Sequence, residues 1–148
     1  MVVNASDHTP ILRTFSTVYQ FAGYITQMTT GNGPSRDKLF LLQPGFLDPK
    51  YPGRLFYCWH CALLDGVLAS FPQLANRIEI VRVPWPRPRG AVISLVGETN
   101  QSLPLMVLAA GETSKFQTGI YGKLGFISGK DKILAALIER HGIPEPHP

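Results

Sequence analysis

The chain has 148 residues, of which 45% are hydrophobic and 16% are charged, and its formal net charge is +4. A chain of this length forms one domain with a substantial core, and its composition excludes a disordered or highly charged protein. No apolar run approaches the roughly 18 residues of a membrane-spanning helix, so we expect a soluble protein with no membrane partner.

The local excess of positive charge lies in VRVPWPRPRG, where Arg82, Arg87 and Arg89 surround Trp85. Interleaved arginine and tryptophan can hold phosphates and stack on bases, but nucleic-acid-binding domains carry a larger basic surface. We therefore interpret these arginines as part of a solvated surface loop and do not expect nucleic acid as a partner.

Residues 1–36 differ in composition from the rest, and they end in the turn-rich TTGNGPSR. We predict a poorly ordered N-terminal extension over residues 1–37 and a single domain over residues 38–148. If residues 1–27 are a transit segment, the protein is mitochondrial. Translation from either Met1 or Met28 remains open.

From Lys38 onward, strand and helix patterns alternate. KLFLL and IEIVRV predict strands, with the Pro/Gly loop GFLDPKYPGR after the first of them. The apolar stripe of the first helix consists of Leu64, Val67, Leu68 and Phe71. AVISLVG is predicted as a helix because a crossover between strands of one sheet is usually helical.

The C-terminal part predicts a strand in LPLMVLA, then one short strand and a loop in KFQTGIYGKLGFIS. The last helix has an apolar stripe formed by Ile133, Leu134, Leu137 and Ile138. We expect a Ser or Asp to cap its start, and Gly142 with Pro144 to end it. The predicted order is β-α-β-α-β-β-α, a mixed sheet with helices on both faces.

The two cysteines of the chain, Cys58 and Cys61, form a CxxC pair directly before the first helix. Two cysteines do not make a disulfide framework, and the chain begins without a secretory signal pattern, so we expect a reducing compartment, the cytoplasm. There a CxxC pair is more often catalytic or metal-binding than structural.

The position of Cys58 favours its thiolate, because a helix N-terminus stabilises an anion. Cys58 is therefore the candidate nucleophile, and protonated His60 would stabilise the same thiolate. Cys61 lies one turn along and begins the buried stripe. It is the candidate resolving thiol, which attacks a mixed disulfide formed on Cys58.

The element order, FYCWHC before a helix, and SLPLMVL downstream together resemble the thioredoxin superfamily, particularly its glutaredoxin-like branch. In that fold a cis-proline opens a strand facing the dithiol. The resemblance implies that Pro104 is this residue and that Leu103 presents its backbone to the substrate. It also implies glutathione as a candidate co-substrate.

Glutaredoxins also open their last helix with a glycine-rich turn and acidic residues, to which ISGKD is similar. The resemblance implies that Gly129 matches this turn and that Asp131 contacts the glutathione amino group, although Ser128 replaces one glycine of the usual pair. Trp59 stands where glutaredoxins usually have proline, and it is a candidate substrate-docking residue. The wider motif pattern is similar to an uncharacterised thioredoxin-fold family.

These residues predict a thiol–disulfide oxidoreductase that acts on a protein or glutathione substrate, requires no cofactor, and is a monomer or weak dimer. One alternative is a non-enzymatic binding module that keeps the fold and uses the same groove. Another is a metal or iron–sulfur carrier that binds through Cys58. Because structural zinc requires four ligands and few are present, we predict no metal site in the chain itself.

Overall fold

The computed structural model describes residues 33–148, so most of the predicted extension, including Met28 and residues 1–27, lies outside the described residues. The elements in chain order are strands β1 (Asp37–Leu42), β2 (Phe46–Leu47) and β3 (Leu55–Phe56), helix α1 (Trp59–Ser70), a 3₁₀ turn (Pro72–Asn76), strand β4 (Ile78–Val83), helix α2 (Gly90–Val96), strands β5 (Leu105–Val107), β6 (Gly119–Tyr121) and β7 (Leu124–Ser128), and helix α3 (Lys130–His141).

Five of these strands form one mixed sheet in the order β4-β1-β5-β7-β6. Strand β1 is parallel to β4 and antiparallel to β5, and the β5–β7 and β7–β6 pairs are antiparallel. Leu39, Phe40 and Leu41 are consecutive and all buried, so both faces of β1 are covered. Helices α1 and α3 contact each other, whereas α2 contacts β6 and β7. The predicted α/β class with a mixed sheet is confirmed.

The predicted element order lacks three of the observed strands. GFLDPKYPGR contains β2 and leads into β3, forming a hairpin in which Phe46 pairs with Phe56 and Leu47 with Leu55. KFQTGIYGKLGFIS forms two paired strands, β6 and β7, instead of one. In the first case the prolines lie beside and between the short strands rather than within them, so their breaking effect leaves the ladder intact.

The start of α3 also differs from the prediction of a Ser or Asp cap. Gly129 is the N-cap residue, with φ at 95°, and no side chain caps the helix. Glycine adopts this backbone conformation without the steric cost that other residues would meet. At the other end, Gly142 has the left-handed conformation expected of a helix-ending glycine, and its N–H donates to the carbonyl of Ile138.

A buried carboxylate links the start of β1 to the end of α3. The Asp37 side chain is 1% exposed, and it accepts hydrogen bonds from Arg140 Nε at 2.7 Å and from the Ala109 N–H at 2.8 Å. His141 Nε2 lies 2.9 Å from the same carboxylate. Burial by itself raises the pKa of Asp37, but the bonds with His141, Arg140 and Ala109 outweigh it and lower the pKa to about 2.

Replacing Asp37 with Asn should destabilise the fold by about 3 kcal/mol near neutral pH, because it removes the buried carboxylate that Arg140 and His141 bind. The ionised carboxylate stabilises the fold above its unfolded pKa of about 3.9, and this contribution is lost as the pH falls through about 2. Urea unfolding of wild type and Asp37→Asn should therefore show a difference that shrinks between about pH 4 and pH 2.

A matched control is Glu79→Gln, which removes an exposed ion pair with Lys38 on the same sheet. It should change the free energy of unfolding by less than about 1 kcal/mol. A difference between wild type and Asp37→Asn that stayed constant across the acidic range would contradict the role given to the Asp37 charge.

Candidate functional site

The segment that opens β5 lies beside the end of β1. In the antiparallel ladder between these strands, Phe40 faces Leu105. Leu103 and Pro104 directly precede Leu105, so they lie near the end of β1, whose last residue is Leu42. The N–H of Leu42 donates to the Sγ of Cys61 at 3.3 Å. The predicted substrate-presenting residue and the buried cysteine therefore lie at the same edge of the sheet.

The turn before α3 lies at this edge as well. Leu105 faces Ser128 in the β5–β7 ladder. Gly129 directly follows Ser128 and Pro104 directly precedes Leu105, so both lie at this end of the ladder. The Leu103–Pro104 peptide bond is cis, as the resemblance implies. The two predicted substrate-binding segments are therefore neighbours, although they lie about 25 residues apart in the sequence.

Cys58 is the N-cap residue of α1. Its backbone is extended, with φ at −85° and ψ at 111°, and its side chain accepts the N–H of Cys61 at 3.4 Å. The residue is half-buried, which leaves part of it open to solvent. Free N–H groups and the helix dipole favour an anion at this position. The local geometry therefore suits a nucleophilic thiolate at Cys58.

Cys61 has a different environment. It is 2% exposed and belongs to the core cluster. Burial, together with the neighbouring Cys58, raises the pKa of Cys61 to about 12, although the Leu42 N–H acts in the opposite direction. A thiol that is this difficult to deprotonate is a poor first nucleophile. The two cysteines therefore differ, because Cys58 is accessible to solvent and Cys61 is protected from it.

The other predicted residues contact one another more than they contact the sulfurs. The ring of His60 packs edge-on against the ring of Trp59, with 4.0 Å between centroids. Within the part of the chain that the structure describes, His60 makes no hydrogen bond to Cys58. The ammonium of Lys130 lies 5.5 Å from the Trp59 ring centroid, which brings the start of α3 to the dithiol. Lys130 also pairs with the exposed carboxylate of Asp131.

Exposed apolar side chains lie on the β2–β3 hairpin and on either side of Cys58 in the sequence. Leu47 and Leu55 face each other across the β2–β3 hairpin and are 59% and 70% exposed. Tyr57 and Trp59, on either side of Cys58 in the sequence, are exposed as well. Exposed apolar groups that cluster in this way are typical of binding surfaces. We call the surface formed by Leu47, Leu55, Tyr57 and Trp59 the apolar rim.

The inner face of the same hairpin packs against the segment after β4. Phe46 stacks on Trp85, with 5.7 Å between ring centroids and 12° between ring planes. A cleft of about 370 Å³ lies between β2 and the residues that follow β4, and it is lined in part by Phe46, Pro84 and Trp85. The hairpin, which the sequence did not predict, therefore forms one wall of this cleft.

The interpretation of the arginine-rich segment as a solvated loop is wrong for Arg89, which is only 8% exposed. Its Nε donates to the carbonyl of Pro84 at 3.3 Å, and its two Nη atoms donate to the carbonyls of Gln101 and Trp85. The Arg89 N–H donates to the side-chain oxygen of Gln101 at 2.8 Å. These carbonyl groups therefore accept hydrogen bonds from a guanidinium that is buried.

Among residues 33–148, no group of three or more His, Cys, Asp or Glu side chains is arranged to hold a metal ion. Nor does that part of the chain contain a helix long and apolar enough to cross a membrane.

One family model matches residues 36–145, and its description is "Protein of unknown function (DUF3088)". The chain belongs to the DUF3088 family. Both cysteines, Arg89, Pro104 and Asp131 lie within the matched region, so the candidate site is part of the DUF3088 domain. No curated protein and no solved structure matches the chain.

The asymmetry of the dithiol predicts different reactivities for the two cysteines. Near neutral pH, iodoacetamide should alkylate Cys61 in a Cys58→Ser variant about 100-fold more slowly than it alkylates Cys58 in a Cys61→Ser variant, because Cys61 is buried and protonated. Mass spectrometry of timed samples gives both rates. The two variants should react equally fast in concentrated urea, and equal rates in the folded proteins would contradict the assignment.

Proposed function

We propose that this DUF3088 protein is a thiol–disulfide oxidoreductase with a thioredoxin-like fold. The observation that carries the proposal is the pairing of a half-exposed Cys58 at the N-terminus of α1 with a buried Cys61 one turn later. This arrangement provides one thiol for attack and a second thiol that is protected from solvent until the first has reacted.

In the first step, the thiolate of Cys58 attacks one sulfur of a substrate disulfide. A bond forms between Cys58 Sγ and that sulfur, and the substrate's S–S bond breaks. The second substrate sulfur leaves as a thiolate, which takes a proton from water. The product is a mixed disulfide between Cys58 and the substrate.

In the second step, Cys61 loses its proton to solvent and attacks Cys58 Sγ. The Cys58–Cys61 disulfide forms and the mixed disulfide breaks. The substrate sulfur that was bonded to Cys58 leaves as a thiolate. Mixed-disulfide formation removes the negative charge of Cys58, and with it one of the effects that raise the pKa of Cys61. The Leu42 N–H is already in place to stabilise the Cys61 thiolate. The dithiol has then given two electrons to the substrate.

A thiol must return the Cys58–Cys61 disulfide to the dithiol, and glutathione is the co-substrate we propose. The nearness of Gly129 and Pro104, derived from the strand register, supports a common site for an extended thiol peptide. The exposed Asp131 carboxylate is the proposed partner of a ligand amino group, and it would exchange its ion pair with Lys130 for that contact. The cytoplasm remains the predicted compartment.

A thioredoxin-like fold is supported by the mixed sheet, by the position of the CxxC pair before α1, and by the turn before α3 at the same edge. The β2–β3 hairpin between β1 and α1 departs from a simple glutaredoxin. It adds Leu47 and Leu55 to the surface that a substrate meets. This enlarged surface favours a polypeptide substrate over a small disulfide.

A second candidate function is that of a binding module that catalyses no reaction. The apolar rim is the observation that favours it, because an exposed apolar surface can hold a partner without any chemistry. On that hypothesis, removal of Cys58 leaves partner binding intact.

Reduction of insulin, with dithiothreitol as the electron source, tests the proposal. Wild type should accelerate precipitation of the reduced insulin B chain, and Cys58→Ser should be indistinguishable from the reaction without protein, since it lacks the attacking thiol. In a separate reaction without dithiothreitol, pre-reduced Cys61→Ser should instead accumulate a mixed disulfide with insulin, visible as an adduct by mass spectrometry under non-reducing conditions. Equal activity of wild type and Cys58→Ser would refute the redox function.

A further inference from the structure

The guanidinium of Arg89 bridges the two strands that flank β1. Its acceptors are the carbonyls of Pro84 and Trp85, which follow β4, and the carbonyl of Gln101, which precedes β5. In the sheet, β1 lies between β4 and β5. The bridge therefore crosses the end of β1, where the N–H of Leu42 holds the sulfur of Cys61.

The positive charge of Arg89 has no carboxylate partner. Among residues 33–148, no Asp or Glu oxygen lies within ion-pair distance of it. Every side-chain bond that it makes is to a neutral carbonyl group. A buried charge without a counter-ion is costly, so an ionisable neighbour that can become negative gains from its presence.

The dithiol lies beside this bridge, because Cys61 Sγ accepts the Leu42 N–H at the end of β1 and Cys58 Sγ accepts the N–H of Cys61. Burial lowers the pKa of the Arg89 guanidinium and the like charge of Arg87 lowers it further, whereas negative charge on Cys61 or Cys58 raises it. The other cation close to Cys61 is Arg82, whose charge is already used in a two-bond pair with Asp65 at 3.0 and 2.6 Å.

His60 faces the ring of Trp59 rather than a sulfur atom. Lys130, across the same ring, pairs with Asp131. Of Arg82, Lys130 and Arg89, only Arg89 is buried and has no carboxylate partner within the described part of the chain.

We propose that Arg89 is a positioning residue of the dithiol, which fixes the segment before β5 and holds an unpaired positive charge that stabilises the Cys58 thiolate. This inference rests on the proposed function for its biological meaning. Stabilising the thiolate also stabilises the reduced dithiol relative to the disulfide, which makes the protein a stronger oxidant.

The test measures the pH dependence of Cys58 alkylation in a Cys61→Ser background, with iodoacetamide because the reagent is uncharged. Arg89→Gln removes the charge but keeps amide donors for the same carbonyl groups. It should move the profile to higher pH and slow alkylation about tenfold on the acidic side. Arg89→Lys keeps the charge and should restore most of the rate, even if its thermal stability falls.

Arg87→Gln is the matched control, because Arg87 lies two residues away and its guanidinium is exposed. Solvent and salt screen an exposed charge, so this variant should change the rate by less than about threefold. If Arg89→Gln does not fold, Arg89→Met in the same background takes its place, and its expected profile is the same.

Thermal unfolding of each variant is recorded beside the alkylation rates. Loss of stability in Arg89→Gln with an unchanged alkylation profile would overturn the proposal and leave Arg89 a purely structural residue. An equal shift in Arg89→Gln and Arg89→Lys would overturn it too, because the charge would then not be the cause.

The readout needs no turnover, so the two proposals fail separately. A charge-dependent profile in a protein that does not reduce insulin supports the role of Arg89 and refutes the redox function. Insulin reduction by a protein whose alkylation profile does not change in Arg89→Gln supports the redox function and refutes the role of Arg89.

Discussion

The buried carboxylate of Asp37 is the contact on which the arrangement of the sheet and its last helix depends. It begins the central strand β1 and binds two residues in the last turn of α3 together with the N–H of Ala109, which follows β5. Three segments that are distant in sequence therefore meet at one side chain. Because α3 is rigid and about 18 Å long, fixing its C-terminal end also restricts the position of its N-terminal end. That end carries Gly129 and Lys130, which reach the candidate site.

Strand β1 connects the Asp37 carboxylate to the dithiol. Its first residue, Asp37, is held by α3, and its last residue, Leu42, donates its N–H to Cys61. The strand between them is buried, so it cannot shift in register without exposing apolar side chains or burying polar ones. The sulfur of Cys61 is thereby fixed against the sheet, while Cys58 remains at the surface end of α1. The difference in accessibility between the two thiols follows from this geometry.

The sequence was informative wherever a segment's structure depends on its own residues. The buried strand KLFLL, the β-branched IEIVRV and the helical stripe that ends at Gly142 all carry their pattern locally. The β2–β3 hairpin does not, because each strand has two residues, too few for a period, and its inner side packs on Trp85 from a distant segment. The prediction for Arg89 was wrong for a similar reason. Its burial depends on the carbonyl of Gln101, and nothing in PRPRG indicates that partner.

Contacts with distant segments also distinguish the dithiol that we propose from two small residues of an inert core. For an inert pair, burial of both cysteines would be the simplest arrangement, and free cysteine is commonly buried. Here Cys58 stays half-exposed at a helix N-terminus, with Tyr57 and Trp59 exposed beside it. A buried arginine without a carboxylate partner stands at the strand end that holds Cys61, although a neutral side chain would cost less there. Core packing alone explains neither the partly exposed thiol nor the unpaired charge, and both fit the thiolate that we propose at Cys58.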